Sequence, residues 1–254
     1  MNIERIDTRF GGLEGAVCCH RAGDVLVDCG PAAVAENVIA AMGDDEPRVL
    51  LLTHIHLDHS GGTGALVKRY PDLKVYVHES VVRHLVDPTR LLASATRIFG
   101  ELDEKFGTTL PVPAENITAL NDGDVIEGFE VIHTPGHAGS HLAFLQQDTG
   151  IALIGDAAGE AVEGDEIVLM PTAPPELDVE LWLASIDRLA ERAPGELGLT
   201  HFGRITDVEG AFERAREDLR RGAELARQTD EAGFVEHLRQ QLKASPPAVA
   251  RALE

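Results

Sequence analysis

The sequence of 254 residues has no apolar run approaching the roughly 20 residues that a bilayer-crossing helix needs. Its first residues, Met1-Asn2-Ile3-Glu4-Arg5-Ile6-Asp7, are too charged for the apolar core of a secretion signal, so a cytoplasmic protein is expected. Cysteine is scarce: Cys18, Cys19 and the odd Cys29 make no disulfide framework and fit a reducing compartment. No C-x-x-C pair exists, which excludes zinc ribbons and thioredoxin-like redox chemistry. No G-x-S-x-G elbow is present, and no other activated serine or cysteine stands out. Positive charge is short as well. Only 22 Lys+Arg face 43 Asp+Glu, a net charge of −21 that opposes any nucleic-acid backbone. An acid-rich, lysine-poor surface fits a cytoplasm of very high salt, where screening shrinks to about 3 Å at 1 M, so a halophilic source is expected.

What the sequence does have is an ordinary hydrophobic share, 44%, in a chain long enough to bury about 70–75% of its unfolded surface. Asp24-Val25-Leu26-Val27-Asp28 reads as a strand stopped by Gly30-Pro31, and 32–42 as helical. The continuous run Val49-Leu50-Leu51-Leu52-Thr53 marks a strand buried on both faces. A helix near 64–70 and a strand over 74–77 follow. Residues 79–106 repeat Val81, Leu85, Leu91, Leu92, Ile98 and Leu102 at helical spacing, interrupted near Pro88. Strands return at 125–126, 129–133, 142–146 and 151–154. A helix is expected over 177–190, a short strand over 197–199, and helices over 207–228 and 231–253. Two stretches of sheet, each followed by helices, predict a layered α/β protein, 1–254 as a single domain, with 79–106 a helical insertion and 207–254 C-terminal helices.

The chemistry concentrates in Thr53-His54-Ile55-His56-Leu57-Asp58-His59-Ser60-Gly61-Gly62. Four metal-capable side chains lie directly after a buried strand. His54 and His56 project to one side of an extended segment, and a curling loop would aim Asp58 and His59 at a second position nearby. His137 (in Thr134-Pro135-Gly136-His137), Asp156 (in Gly155-Asp156) and His201 (in Thr200-His201) each end a hydrophobic strand beside glycine or a loop. His133 reads as packing, and His20, His78, His84 and His237 lack the strand-end context. Cys29 reads as a small buried residue.

Together these segments, with Val25-Leu26-Val27-Asp28-Cys29-Gly30, resemble the metallo-β-lactamase-fold superfamily, in its order and over residues 24–203. The resemblance implies a four-layer αββα sandwich with metals at one edge between the sheets. It implies two Zn2+ per chain, with Fe or Mn open: His54, His56 and His137 on the first, Asp58, His59 and His201 on the second, Asp156 bridging. Asp28 would orient a ligand, and His141 matches a further histidine of many relatives that supports the site. Asp58 would also carry protons. Two zinc ions roughly 3.5–4 Å apart bring a shared water towards a pKa of about 7.

Departures narrow the field. Asp156 stands where β-lactamases of this fold usually place cysteine, and His56 where flavodiiron proteins place glutamate. The only tyrosines, Tyr70 and Tyr76, lie far in sequence from the ligand segments, unlike the substrate tyrosine of lactone hydrolases and glyoxalase II. With the run Pro171-Thr172-Ala173-Pro174-Pro175 to Trp182 and the segment 85–92, the chain is similar to a prokaryotic subgroup of glyoxalase II-like hydrolases. The expected activity is hydrolysis of a small ester or thioester. A phosphodiesterase, an Fe(II) persulfide-dioxygenase-like oxidoreductase and a binding module on the same scaffold remain alternatives. The expected partner is a small molecule, with neither nucleic acid nor membrane, and a homo-oligomer is left open. Residues 79–106 are either a lid lined by Leu91, Phe99 and Phe106 or a packed helical element. Arg90 and Arg97, seven residues apart, either receive an anionic group or are solvated.

Overall fold

The computed structural model describes residues 2–160, 170, 177–230, 232–234, 236 and 240. Its first sheet comprises β1 (Glu4–Asp7), β2 (Cys18–Ala22), β3 (Val25–Val27), β4 (Val49–Leu51), β5 (Lys74–His78) and β6 (Ile117–Leu120), neighbours in that order. The first two junctions are antiparallel and the rest parallel. Helices α1 (Ala35–Met42), α2 (Leu57–Ser60) and α3 (Thr63–Arg69) lie in the crossovers, and α4 (Val82–Val86), α5 (Thr89–Phe99) and α6 (Leu102–Phe106) fall between β5 and β6. The second sheet comprises β7 (Val125–Ile126), β8 (Phe129–His133), β9 (Leu142–Gln146), β10 (Ile151–Gly155), β11 (Glu196–Leu199) and β12 (Arg204–Ile205), again in spatial sequence. Helix α7 (Val179–Glu191) precedes β11, and α8 (Val208–Gln228) follows β12.

The apolar runs explain the layering. Val25, Val27, Val49 and Leu51 pack against Phe129, Val131, Leu142 and Phe144, so one face of each sheet meets the other. The alternate residues Leu26, Leu50 and Leu52 pack instead with Val38 and Met42 of α1 and Leu66 and Val67 of α3. Each strand is thus buried on both faces, which is why it reads as an unbroken apolar run. On the far side, Ile132, Ala143, Ile154, Leu197 and Leu199 meet Trp182, Ile186 and Leu189 of α7 and Phe212 and Leu219 of α8. The result is the expected αββα sandwich.

Four strands go beyond the sequence expectation: β1, β2, β6 and β12. The helix expected from 177 starts at Val179, because the Asp178 side chain accepts a hydrogen bond from the Leu181 amide (3.0 Å) and fixes the N-terminus there. Residues 79–106 form three short helices, broken at Asp87-Pro88 and Gly100. The helix expected over 231–253 lies largely outside the described residues, as does the run 171–176. Among the described residues, no helix is long and apolar enough to cross a membrane.

Candidate metal centre

The site gathers at the C-terminal ends of β4, β8, β10 and β11. His54 follows β4 by way of Leu52-Thr53. The single turn of α2 begins just after His56 and carries Asp58 and His59 back over the strand end. His137 follows β8, Asp156 follows β10 directly, and His201 lies two residues past β11. Two glycines make these approaches feasible. Gly136 holds φ +139°, and a Cβ there would stand 2.3 Å from the Trp182 backbone. Gly155 holds φ +50°, and a Cβ there would stand 2.8 Å from His141 Nε2.

The donor atoms of His54, His56, His137 and Asp156 lie within 4.8 Å of one another, and so do those of Asp58, His59 and His201. His56 Nδ1 and His137 Nε2 are 2.9 Å apart. Asp156 joins the two groups. Its Oδ2 is 3.3 Å from His137 Nε2, 3.8 Å from His54 Nε2 and 3.2 Å from His59 Nε2, while its Oδ1 is 3.9 Å from His201 Nε2. His201 Nε2 is also 3.1 Å from Asp58 Oδ2. All seven predicted ligand residues are therefore brought together.

Burial this deep leaves donor atoms without a hydrogen-bond partner. His54 Nε2 and Asp156 Oδ1 are shielded from solvent and have no hydrogen-bond partner among the described residues. An orphaned buried polar atom costs about 1–3 kcal/mol, so their placement fits a divalent ion bound by imidazole and carboxylate.

A second layer of hydrogen bonds sets the rings. His59 Nδ1 donates to Asp28 Oδ2 at 2.8 Å, which turns Nε2 towards Asp156. Asp28 also accepts from the Thr53 amide (2.8 Å), the Thr53 hydroxyl and the Thr200 hydroxyl (2.7 Å). His141 Nδ1 lies 2.7 Å from the Thr134 hydroxyl, and its Nε2 accepts from the Asp156 amide at 3.3 Å. Asp28 and His141 thus contact residues of the two groups, His59 and Asp156. The Trp182 indole donates to Ala157 O (2.8 Å), and its ring lies 5.3 Å from that of His137.

Charge divides the two groups. Burial, reinforced by neighbouring histidines, pushes His54 well below the usual imidazole range and His56 down to about 4. Both are neutral near pH 7, and a neutral imidazole can offer a ring nitrogen to an ion. Burial also acts against His59 and His201, but facing carboxylates outweigh it. Asp156, Asp28 and Asp58 hold His59 well above its ordinary value; Glu160, Asp156 and Asp58 lift His201 to about 10. Burial likewise works against ionised Asp58, yet His59 and His201 hold its carboxyl below the usual range. A cation entering the second group would displace protons from its two histidines.

Residues 16–201 match the sequence profile described as the Metallo-beta-lactamase superfamily. The chain belongs to that superfamily. Over 198 residues it is 27% identical to the metallo-beta-lactamase fold-containing protein ST1585 of Sulfurisphaera tokodaii, covering 75% of this chain and 72% of that one. The ST1585 crystal structure has a TM-score of 0.73 at 23% identity, over 85% of each chain. A hydroxyacylglutathione hydrolase of Xylella fastidiosa is 35% identical over 147 residues, 57% of this chain. This chain spans 42% of that hydrolase's length. The crystal structure of TTHA1623 in a di-iron-bound form has a TM-score of 0.61 at 25% identity, covering 82% of this chain and 96% of that one.

Against this superfamily background, one residue escaped the sequence reading. Glu160 brings a carboxylate to the second group, its Oε1 lying 3.8 Å from His201 Nε2. Burial, with Asp156 and Asp58 adding to it, pushes its carboxyl up to about 7 against the opposing pull of His201. The other histidines among the described residues stand apart from the metal groups. His20 binds Leu199 O, His78 stacks on His133 at 4.6 Å, and His84 pairs with Arg83. His237 lies outside the described residues. Tyr70 and Tyr76 pack in hydrophobic clusters, and Arg90 and Arg97 are exposed on α5. Cys29 is buried, with its thiol against His59 O at 3.3 Å. The helices of 79–106 reach the site through packing: Leu102 and Phe106, with Leu91 and Leu92, cluster with Leu57, the residue between His56 and Asp58.

Proposed function

We propose that the protein is a hydrolase that works with two divalent ions, zinc by preference at the first position, on a small ester or thioester. The observation that carries this reading is the Asp156 carboxylate, shared between two groups of buried histidine and carboxylate donors. His54, His56 and His137 would hold one ion, and Asp58, His59 and His201 the other. When bound, such ions acidify water to a pKa of about 7 and polarise the oxygen of the bond under attack. The remaining work falls to the chain. Asp28 fixes the ring of His59, and hydrogen bonds from Thr53 and Thr200 hold the Asp28 carboxylate in place. Asp58 is ionised at neutral pH and partly open to solvent, with 27% of its side chain exposed. Its Oδ2 would take the proton released at the attack and pass it to the leaving group.

The 35% identity to a hydroxyacylglutathione hydrolase supports an acyl-transfer substrate over a phosphodiester, and the acid-rich surface supports a small molecule over a nucleic acid. The di-iron form of TTHA1623 keeps an iron-loaded centre in the test. The three cysteines are buried and none forms a disulfide, which fits a cytoplasmic setting. The test is a panel of thioesters, lactones, aryl esters and bis-p-nitrophenyl phosphate, run on Zn, Mn and Fe forms. Thioester or ester turnover is expected, with Asp58→Ala lowering kcat about 100-fold or more. Turnover only of glutathione persulfide by the iron form, with oxygen consumed, overturns the hydrolase reading.

A further inference from the structure

Glu160 stands outside the ligand set that the motifs define, yet its carboxylate belongs geometrically to the second group. The donor atoms of Asp156, Glu160 and His201 lie within 4.8 Å of one another. The backbone after β10 brings it there. The Ala157 amide donates to Ile154 O (2.9 Å) and the Gly159 amide to Asp156 O (3.0 Å), so the chain folds back and returns Glu160 to the strand end. Gly159 takes φ +98°, a conformation that favours glycine. Three carboxylates, Asp58, Asp156 and Glu160, then lie within 3.9 Å of His201 Nε2, and two of them, Asp58 and Asp156, also approach His59 Nε2. Asp156 Oδ1, the oxygen facing His201 at 3.9 Å, has no hydrogen-bond partner among the described residues. Carboxylates so crowded repel one another unless a cation lies between them.

We propose that Glu160 is a further ligand of the second metal position and biases it towards ions that favour oxygen donors and higher coordination, manganese or ferrous iron, over zinc. The proposal rests on the two-ion reading above. Zinc is satisfied by four ligands and shares imidazole-rich sites readily, as at the first position with its three histidines. Two imidazoles and three carboxylates offer five donors, a set nearer to that of manganese or non-haem iron. The competing account makes Glu160 only an ion-pair partner of His201, which a bound metal would leave without effect on the ion.

The experiment strips the full-length protein of metal and titrates it with Zn2+, Mn2+ and Co2+, reading stoichiometry and stepwise constants by calorimetry and the Co2+ absorption spectrum. Wild type is expected to take two ions. Glu160→Gln, nearly isosteric, should leave the first constant unchanged and weaken the second about tenfold to a hundredfold, more for Mn2+ than for Zn2+. Its Co2+ spectrum should gain intensity as coordination number falls. Glu160→Asp, which keeps the charge and shortens the reach, should fall between. Two ions in wild type with unchanged constants and spectra in both variants overturn the role of Glu160 alone. A single ion in wild type overturns the two-ion reading itself, and this proposal with it.

Discussion

At the scale of single residues, burial and the charges that face a group together decide which form it takes. Asp28 holds φ +56°, unusual for a residue with a side chain, and is completely buried. Four hydrogen-bond donors converge on its carboxylate and lock that conformation. At His20 burial prevails. Burial pushes it down to about 4, although the Leu199 carbonyl 3.1 Å from Nε2 partly counters this. A histidine neutral in the folded chain but with an ordinary value near 6.5 when unfolded contributes stability that is fully present above pH 6.5. That stability drains as pH falls towards 4, because the unfolded chain takes up the proton first. The loss reaches about 3 kcal/mol near pH 4. His20→Gln should remove this component, so urea unfolding from pH 7 to 4 should show a shallower decline than wild type. Equal slopes would mean that His20 is accessible to protons in the folded state. The same contrast marks how far residues are legible in sequence. The histidines and aspartates of the metal groups stand out because each ends an apolar strand. Glu160 gives no such signal, being one of 43 acids in the chain, and only the Ala-Ala-Gly turn between it and Asp156 hints that it folds back.

At the scale of elements, strands buried on both faces and amphipathic helices announce themselves, whereas short or half-exposed strands do not. β1 reads Glu-Arg-Ile-Asp with a single buried residue, and β12 has two residues at a sheet edge, so neither leaves a hydrophobic pattern. β6, Ile-Thr-Ala-Leu, buries only its last residue, and β2 hides its burial behind Cys-Cys-His-Arg-Ala. Helix α7 carries information that its periodicity does not reveal. It is more than a cover for the second sheet, because Trp182 touches both loops that deliver ligands. Its backbone abuts Gly136, one residue before His137, and its indole donates to Ala157 O, one residue after Asp156. Ser185, one turn on, donates to Pro135 O at 2.6 Å. Trp182→Phe keeps an aromatic ring but strands the buried Ala157 carbonyl and opens a small cavity. It should destabilise the protein by about 2–3 kcal/mol, read as a lower urea midpoint at unchanged slope. A midpoint shift of under about 0.5 kcal/mol in equivalent stability would mean that the indole bond is replaced by solvent and α7 does not brace the loops.

At the scale of the whole molecule, the fold and the charge act on different ranges. The sandwich is held by three contiguous cores, between the sheets and on their two outer faces, and none of them depends on ions. The surface is another matter. With 43 acids and 22 Lys+Arg, even complete pairing would leave a large excess of carboxylates without a cation. The ion pairs present, such as Arg188 with Asp122 and Arg192 with Glu130, are local and largely exposed, and such pairs contribute about 0–1 kcal/mol each. Repulsion among the remaining acids therefore opposes the compact state at low salt, where charges about 10 Å apart still interact. Raising KCl from 0.1 M to 2 M shortens that range to below about 3 Å, and Tm should rise by about 5 °C or more, since each kcal/mol moves a chain of this size by about 2–4 °C. Salt also acts as an excluded solute, so the comparison is with sucrose at equal osmolality, which strengthens apolar burial without screening charge. A rise in KCl well beyond that in sucrose assigns the effect to the acidic surface and supports adaptation to high salt. A Tm independent of KCl, or matched by sucrose, removes that adaptation and returns the net charge of −21 to the question of substrate, where it would count against any polyanion.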